Sequence, residues 1–324
     1  MTTKAMAHEW SSPGRHSPAL PDSVLEVIVA KQDPEWRGIL RHVNRMLRAT
    51  VDHVDDRSGV TSTISMRGVC SSIRLMSWAW EQGCPWNEDT CAEAAASGRI
   101  DVVGWARSQG CPWDESACAM AAQAGSLSLL QHLRREGCPW DEETCHQAAA
   151  QGRLQVLRWA REQGCPWAAE TCELAAAGGH LEVLAWAHSN GCPWNSRTCE
   201  RAAEAGHLPI LCWAREHGCE WTSAICEQAA AGGHLHVLSW AHSQGCEWDS
   251  VTCEHAAAAG QLDILGWLMQ NGCPWDIGTC AAAAESGQLH VLQWVRTNGC
   301  PWDWRTCSAA ARGGHLSVLQ WARA

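Results

Sequence analysis

Cysteine is the residue type in this sequence with the clearest capacity for chemistry. Of twenty cysteines, nine follow a glycine at intervals of 27 residues, from Cys84 to Cys300. Nine more lie seven residues after these, from Cys91 to Cys307. Thiols at this density could bind zinc, form disulfides or exchange electrons, and each of these chemistries needs its own spacing and environment.

The cysteine spacing fits none of these chemistries well. Zinc sites favour two cysteines separated by two to four residues, whereas here the separations alternate between seven and twenty and no Cys-x-x-Cys occurs. The opening MTTKAMAHEWSSPGRHSPALP lacks the apolar segment of a signal peptide. We therefore expect a cytoplasmic or nuclear protein, in which thiols stay reduced. The cysteines at both repeat positions are interpreted as small core residues. The alternative interpretation is a metal- or redox-active Cys-rich protein.

Charge and hydropathy exclude several other classes of function. The net charge is −11, and residues 1–60 carry equal numbers of basic and acidic side chains, so the excess lies in residues 61–324. An acidic surface repels phosphate backbones, which argues against nucleic acid as a partner. No apolar run approaches the length of a membrane helix. No catalytic motif is visible, so we expect no enzyme activity and no cofactor.

The same 27-residue period predicts two short helices per unit. The consensus is G-C-P-W-[DN]-x-x-T-C-x-x-A-A-x-x-G-H-L-x-V-L-x-W-A-R-x-x. Seven Asp or Asn residues after the turn Trp suit helix N-caps, namely Asn87, Asp114, Asp141, Asn195, Asp249, Asp276 and Asp303. In the unit that starts at residue 137, Gly152 closes the first helix, and Gly164 with Pro166 ends the second. One such hairpin cannot bury its apolar face alone, so the units must stack.

The stretch AAxxGHLxVLxWAxxxG resembles the helical core of an ankyrin repeat. An ankyrin unit has about 33 residues, with a β-hairpin finger and a TPLH start; here the finger segment is six residues shorter and TC stands at that start. The resemblance implies an all-α, ankyrin-like solenoid of stacked helix-turn-helix repeats with shortened or absent β-hairpin fingers. It covers residues 64–324, as one degenerate unit followed by nine 27-residue units.

The tryptophans and histidines recur with the repeat and are interpreted as packing residues. One tryptophan lies in each turn and a second on the second helix, except that His132 stands once at the latter position. Large rings would fill the gap that a trimmed finger leaves between units. Histidines 180, 207, 234 and 315 follow the repeat glycine, where the ring could hydrogen-bond neighbouring backbone. Other units carry Arg, Ser or Gln at this position, so it is not an obligatory metal ligand.

Positions that vary between units are candidates for binding. Glu173, Glu200, Glu227 and Glu254 occupy one first-helix position in four successive units. Stacked helices lie about 8–10 Å apart, so these carboxylates would form a row suited to a basic peptide; a solvated preference for Glu near a helix start is the alternative. Arg197 and Trp304 lie among the variable turn residues, and an exposed indole is a candidate interface residue.

Residues 20–48, LPDSVLEVIVAKQDPEWRGILRHVNRMLR, resemble an F-box. The residues that would bind a Skp-type adaptor under this resemblance are Leu20, Pro21, Val24, Leu25, Ile28, Leu40 and Val43. The resemblance implies a substrate receptor of a Skp-cullin ubiquitin ligase. The alternative is a helical hairpin that caps the stack.

The sequence thus predicts four regions: a disordered tail (1–18), an F-box-like helical segment (19–50), a linker (51–63) and the repeat solenoid (64–324). The predicted function is non-catalytic binding of a protein partner through the concave face and the turns. A basic segment of that partner, and a Skp-type adaptor, are the specific expectations.

Overall fold

The computed structural model describes residues 69–81 and 86–323. The predicted tail, F-box-like segment and linker lie outside these residues. The chain divides into two compact units, Met1–Gln82 and Gly83–Ala324. In the first unit the described residues contain one helix, α1 (Ile73–Glu81), which buries Met76 and Ala79.

The second unit is a series of helical hairpins. The first helices of the successive repeats are α2 (Glu88–Ala96), α4 (Glu115–Ala124), α6 (Glu142–Ala150), α8 (Ala169–Ala177), α10 (Ser196–Glu204), α12 (Ala224–Ala231), α14 (Ser250–Ala258), α16 (Ile277–Glu285) and α18 (Trp304–Gly313). The second helices are α3 (Ile100–Ser108), α5 (Leu127–Arg135), α7 (Leu154–Glu162), α9 (Leu181–Ser189), α11 (Leu208–Glu216), α13 (Leu235–Ser243), α15 (Leu262–Gln270), α17 (Leu289–Thr297) and α19 (Leu316–Arg323).

Side-chain caps begin the first helices where the sequence predicts them. All seven predicted Asp and Asn residues are N-caps whose side-chain oxygen accepts a backbone N–H two or three residues on. Such a bond satisfies one of the N–H groups that a helix start leaves free, and it contributes about 1 kcal/mol. In these seven repeats, the residue that follows the turn Trp therefore sets where the first helix begins.

The second helices are held by a narrow apolar stripe. In α7 the stripe is Val156, Leu157 and Ala160, all buried, and the helix ends before Gly164, whose φ is 84°. That left-handed backbone suits glycine, and proline two residues later prevents the helix from continuing. The tight turn then leads directly to the next first helix.

Stacking of the first helices forms the core. Each first helix packs against the first helix of the next repeat and against its own second helix, while the second helices approach one another less closely. Residues 69–81 and 86–323 contain no strand. The predicted fold class, an all-α solenoid with turns in place of hairpin fingers, is confirmed. None of the described helices is long and apolar enough to span a membrane.

Candidate functional site

The cysteines lie in the core as pairs of neighbouring thiols. The first-helix cysteine of one repeat meets the cysteine that opens the next repeat, directly after the second helix. Eight such pairs occur in the described residues: Cys91–Cys111, Cys118–Cys138, Cys145–Cys165, Cys172–Cys192, Cys199–Cys219, Cys226–Cys246, Cys253–Cys273 and Cys280–Cys300. All sixteen thiols are buried and free. The interpretation of the cysteines as core residues is confirmed for these sixteen and is wrong for Cys307, which is exposed. Their pairing is a feature that the sequence did not predict.

Each pair also connects the turn to the start of the first helix. The Cys253 thiol donates to Cys273 at an Sγ–Sγ distance of 3.6 Å, and Cys273 donates to the carbonyl oxygen of the N-cap Asp249 at 3.3 Å. The second cysteine of every other pair makes the same bond to a backbone carbonyl oxygen 24 residues earlier, near the start of the preceding first helix. The two thiols therefore bridge the ends of one hairpin.

This pairing separates the acidities of the two thiols. The hydrogen bond from Cys226 lowers the pKa of the Cys246 thiol, because it stabilises the thiolate. The same hydrogen bond, together with burial, raises the pKa of Cys226 itself. No three His, Cys, Asp or Glu side chains in the described part of the chain are grouped to hold a metal ion.

The tryptophans form edge-to-face pairs that recur along the second unit. Trp248 of the turn meets Trp267 of α15 with ring centroids 5.5 Å apart and planes at 85°. Seven further repeats contain the equivalent pair. A cation or imidazole from the preceding repeat covers the turn ring: Arg161 lies 4.0 Å from the Trp167 centroid, and His242 stacks on Trp248 at 3.5 Å. Packing between and within repeats thus accounts for both tryptophan sets.

Histidine after the repeat glycine bridges neighbouring repeats, as the sequence predicts. His180 Nε2 lies 3.1 Å from the carbonyl oxygen of Ala150, and His207 Nε2 lies 3.0 Å from that of Ala177. The ring needs space above the preceding repeat's glycine. Gly152 has φ 68°, and a Cβ there would lie 2.6 Å from His180 Nδ1. Histidine at this repeat position therefore has a structural role.

The predicted row of glutamates is half-buried against the next repeat. Glu173 accepts a hydrogen bond from the Asn195 amide at 3.3 Å, and its carboxylate lies 3.9 Å from Arg197 Nε. Both partners belong to the start of α10, where a helix presents its positive end. Glu227 accepts from the hydroxyl of Ser223 in its own repeat at 3.3 Å. Glu200 is likewise half-buried. Glu173 and Glu227 are thus engaged with the protein, and all four carboxylates of the row are only partly exposed.

Glu254 differs from Glu173 in its electrostatic surroundings. Burial raises the pKa of the Glu254 carboxyl, and the nearby carboxylate of Asp276 raises it further. A Cβ built on Gly278 would collide with the Glu254 carboxylate, so the close approach depends on glycine. The same repeat position is therefore favourable for a negative charge at one junction and unfavourable at another.

An open groove lies beside this row, between α8 and α10. It has a volume of about 500 Å³ and is lined by Glu170, Glu173, Leu174, Ala177, Arg201, Glu204 and Ala205. Arg201 pairs with Glu204 at 2.9 Å, and both side chains are about half exposed. Glu170 is exposed and Leu174 half-buried. The groove thus offers carboxylates around a small apolar floor.

Sequence reasoning found only Glu173 among these lining residues. Glu170, Leu174, Arg201 and Glu204 occupy first-helix positions that vary from repeat to repeat. That variation is a usable signal, because positions free of packing duty tolerate change. The sequence instead favoured the position that carries four identical glutamates, and Glu173 at that position is more buried than Glu170.

The remaining candidates are separated from the groove floor. Arg197 is exposed at the start of α10, and only its ion pair with Glu173 connects it to the groove. Trp304 begins α18 and is 73% exposed, so the expected exposed indole is confirmed. The adaptor candidates Leu20, Pro21, Val24, Leu25, Ile28, Leu40 and Val43 lie outside the described residues.

Comparison with known proteins gives a match only among solved structures. No family profile and no curated protein matches the chain. Among solved structures, the chain is similar to the human ASB11 ankyrin repeat domain, with 19% identity and a TM-score of 0.39 over 48% of this chain and 84% of that one. The fold class stands on the helices, turns and packing of the chain itself.

The contrast between Glu254 and Glu173 predicts opposite effects of removing the charge. A carboxyl whose pKa is raised in the folded state destabilises the fold when ionised, and the effect vanishes below the unfolded pKa of about 4.3. Glu254→Gln should therefore raise Tm at pH 7 by about 1 °C, since solvent screens the half-buried group. At pH about 3.5 both states are protonated, so the variant and the parent should coincide.

Glu173→Gln is the matched control, because it changes the same repeat position beside a cation. It should lower the free energy of unfolding at pH 7 by less than about 1 kcal/mol. Thermal denaturation of both variants at the two pH values decides the matter. A lower Tm for Glu254→Gln at neutral pH would contradict the electrostatic assignment.

Proposed function

We propose that the repeat stack is a non-catalytic scaffold that binds a protein partner on the face formed by its first helices. The observation that supports this proposal is the groove between α8 and α10, an open space of about 500 Å³ with no catalytic set of residues among its lining. Cysteine, tryptophan and histidine, the residues with the greatest chemical capacity, are used in packing. The surface residues that vary from repeat to repeat lie on the first-helix face and in the turns.

The charges of the groove favour a basic segment. Three of its lining side chains are carboxylates and one is a guanidinium, and the latter is paired with Glu204. Glu170 is exposed and would meet an arriving cation directly, while Glu173 reinforces the negative potential from below. Leu174, Ala177 and Ala205 leave room for an apolar side chain. An extended segment with a basic residue next to an apolar one fits this arrangement.

Trp304 supplies a second point of attachment at a different repeat. Its ring is largely exposed, and beside it the Arg305 side chain pairs with Asp303 at 3.5 Å. Exposed aromatic residues contribute strongly when a partner buries them. Arg197, exposed at the edge of the groove, favours partners with an acidic residue outside the basic segment.

Neutralising the groove should weaken binding of a basic peptide. The double variant Glu170→Gln/Glu204→Gln should raise the Kd of a fluorescent Arg- and Leu-containing peptide about 3- to 10-fold, as expected for two partly exposed ion pairs. Fluorescence anisotropy with the full chain measures this at low and physiological salt.

The control variant Glu162→Gln/Glu182→Gln removes the same charge from exposed positions on the second helices α7 and α9. It should leave the Kd unchanged within about twofold. Equal weakening by both double variants would contradict the groove and leave only a general attraction between an acidic protein and a cation.

A second role, as substrate receptor of a Skp-cullin ubiquitin ligase, is favoured by the F-box-like residues 20–48. The distribution of lysines also favours this role. The chain has only Lys4 and Lys31, so residues 64–324 offer no lysine side chain for attachment of ubiquitin. In this role the first-helix face would hold the substrate while the N-terminal segment binds the adaptor.

Co-purification of the full chain with a Skp-type adaptor tests this role. Leu20→Asp/Ile28→Asp places charges at two predicted contact positions and should reduce adaptor recovery at least about tenfold. Val51→Asp, in the predicted linker, should leave recovery unchanged. Recovery of the same amount of adaptor by all three proteins would contradict the assignment, and no recovery by any of them would leave the scaffold role alone.

A further inference from the structure

The thiol pairs have a geometry that packing alone does not require. In the Cys253–Cys273 pair the Sγ atoms are 3.6 Å apart, and a disulfide joins two sulfur atoms at about 2.05 Å. An approach of the two sulfur atoms by about 1.5 Å therefore separates the hydrogen-bonded pair from a covalent one. In the other seven pairs the second cysteine has the same anchor, a hydrogen bond to the backbone carbonyl oxygen 24 residues earlier. The binding function proposed above uses none of them.

The hydrogen bonds also select which cysteines are partners. Cys253 lies within electrostatic reach of Cys300, the equivalent cysteine of the next repeat, but its hydrogen bond goes to Cys273. Cys246, seven residues before Cys253, instead neighbours Cys226 and donates a hydrogen bond to the carbonyl oxygen of Thr222. Among the separations of 7, 20, 27 and 47 residues that the repeat produces, the structure therefore favours the pair 20 residues apart.

We propose that each pair is an oxidation site at which hydrogen peroxide forms a disulfide between two cysteines 20 residues apart. The sulfur of one cysteine attacks a peroxide oxygen, giving a sulfenic acid and one water. The partner sulfur then attacks the sulfenic sulfur, and the S–S bond forms as a second water leaves. Two thiols lose two electrons and two protons, and one peroxide becomes two waters. A small dithiol restores the reduced pair by exchange.

The order of oxidation follows exposure. Among the second cysteines, Cys219 is 7% and Cys273 is 6% exposed, whereas Cys138, Cys165 and Cys300 are fully buried. Thiols react in proportion to their access to the oxidant. The pairs Cys199–Cys219 and Cys253–Cys273 should therefore oxidise before the pairs that contain the fully buried cysteines.

The expected consequence is a more stable hairpin with an unchanged surface. The bond would join a first helix to the turn directly after its second helix, so it would close a single helical hairpin. Closing that loop restricts the unfolded chain. The first-helix face and its groove need not move, because the cysteines lie beneath them in the core.

The experiment exposes the native full chain to limiting hydrogen peroxide, blocks remaining thiols with an alkylating reagent and maps the cysteines by peptide mass spectrometry. We expect disulfide-linked peptides from cysteines 20 residues apart, with the two more exposed pairs first. Tm should rise by about 5 °C and return after treatment with a dithiol. Cys253→Ser should abolish the link at Cys273, while Cys212→Ser, at a half-buried cysteine outside the pairs, should change no link.

The exposed Cys307 serves as an internal reference for the oxidant. If Cys307 is fully oxidised while the paired cysteines remain alkylatable thiols, the proposal is overturned. Links between cysteines 7 or 47 residues apart would also overturn it, as would disulfides that appear only after the helical circular dichroism signal is lost.

Discussion

Close contact between successive first helices is the constraint on which the rest of the structure depends. All nine repeats carry two adjacent alanines in the first helix, and every one of these except Ala311 is buried in the described structure. Alanine lets helix axes approach closely and loses no side-chain entropy on burial. A cysteine lies one turn earlier on the same helix, buried in every repeat but the last, and is the next smallest apolar choice. These small side chains allow the first helices to stack closely.

The larger residues occupy positions that this close stack leaves open. Second helices stand further apart, and the Trp pairs with their covering Arg or His side chains fill the space near the turns. Histidine at the start of the second helix reaches across to the previous repeat's backbone. Each repeat is thereby tied to the next by apolar contact at the first helices and by polar contact at the edges. This arrangement leaves the exposed side of the first helices as the surface that can change without loss of the fold.

The period, the caps and the core residues could be predicted because the same local rules recur in every repeat. Asp141 after Trp140 begins a helix wherever that combination occurs, and Gly164 before Cys165 ends one. The groove could not be predicted, since it depends on which variable side chains meet across a junction. Glu173 and Glu254 illustrate the difference. They share a repeat position, but Arg197 faces one and Asp276 the other, and only the three-dimensional arrangement reveals this. Thiol pairing was missed for a related reason, because a separation of twenty residues matches no local motif.

Equilibrium unfolding of the full chain with Ala202→Leu tests the central claim most directly. Ala202 is fully buried between first helices in the middle of the stack. Ala185→Leu is the control, at a half-buried second-helix position where other repeats carry Gln131, Arg158 or Gln293. Close stacking predicts that Ala202→Leu lowers the free energy of unfolding by about 1–3 kcal/mol, and that Ala185→Leu changes it by less than about 0.5 kcal/mol. Equal, small effects of both substitutions would show that the first helices do not depend on small side chains, and would contradict the account.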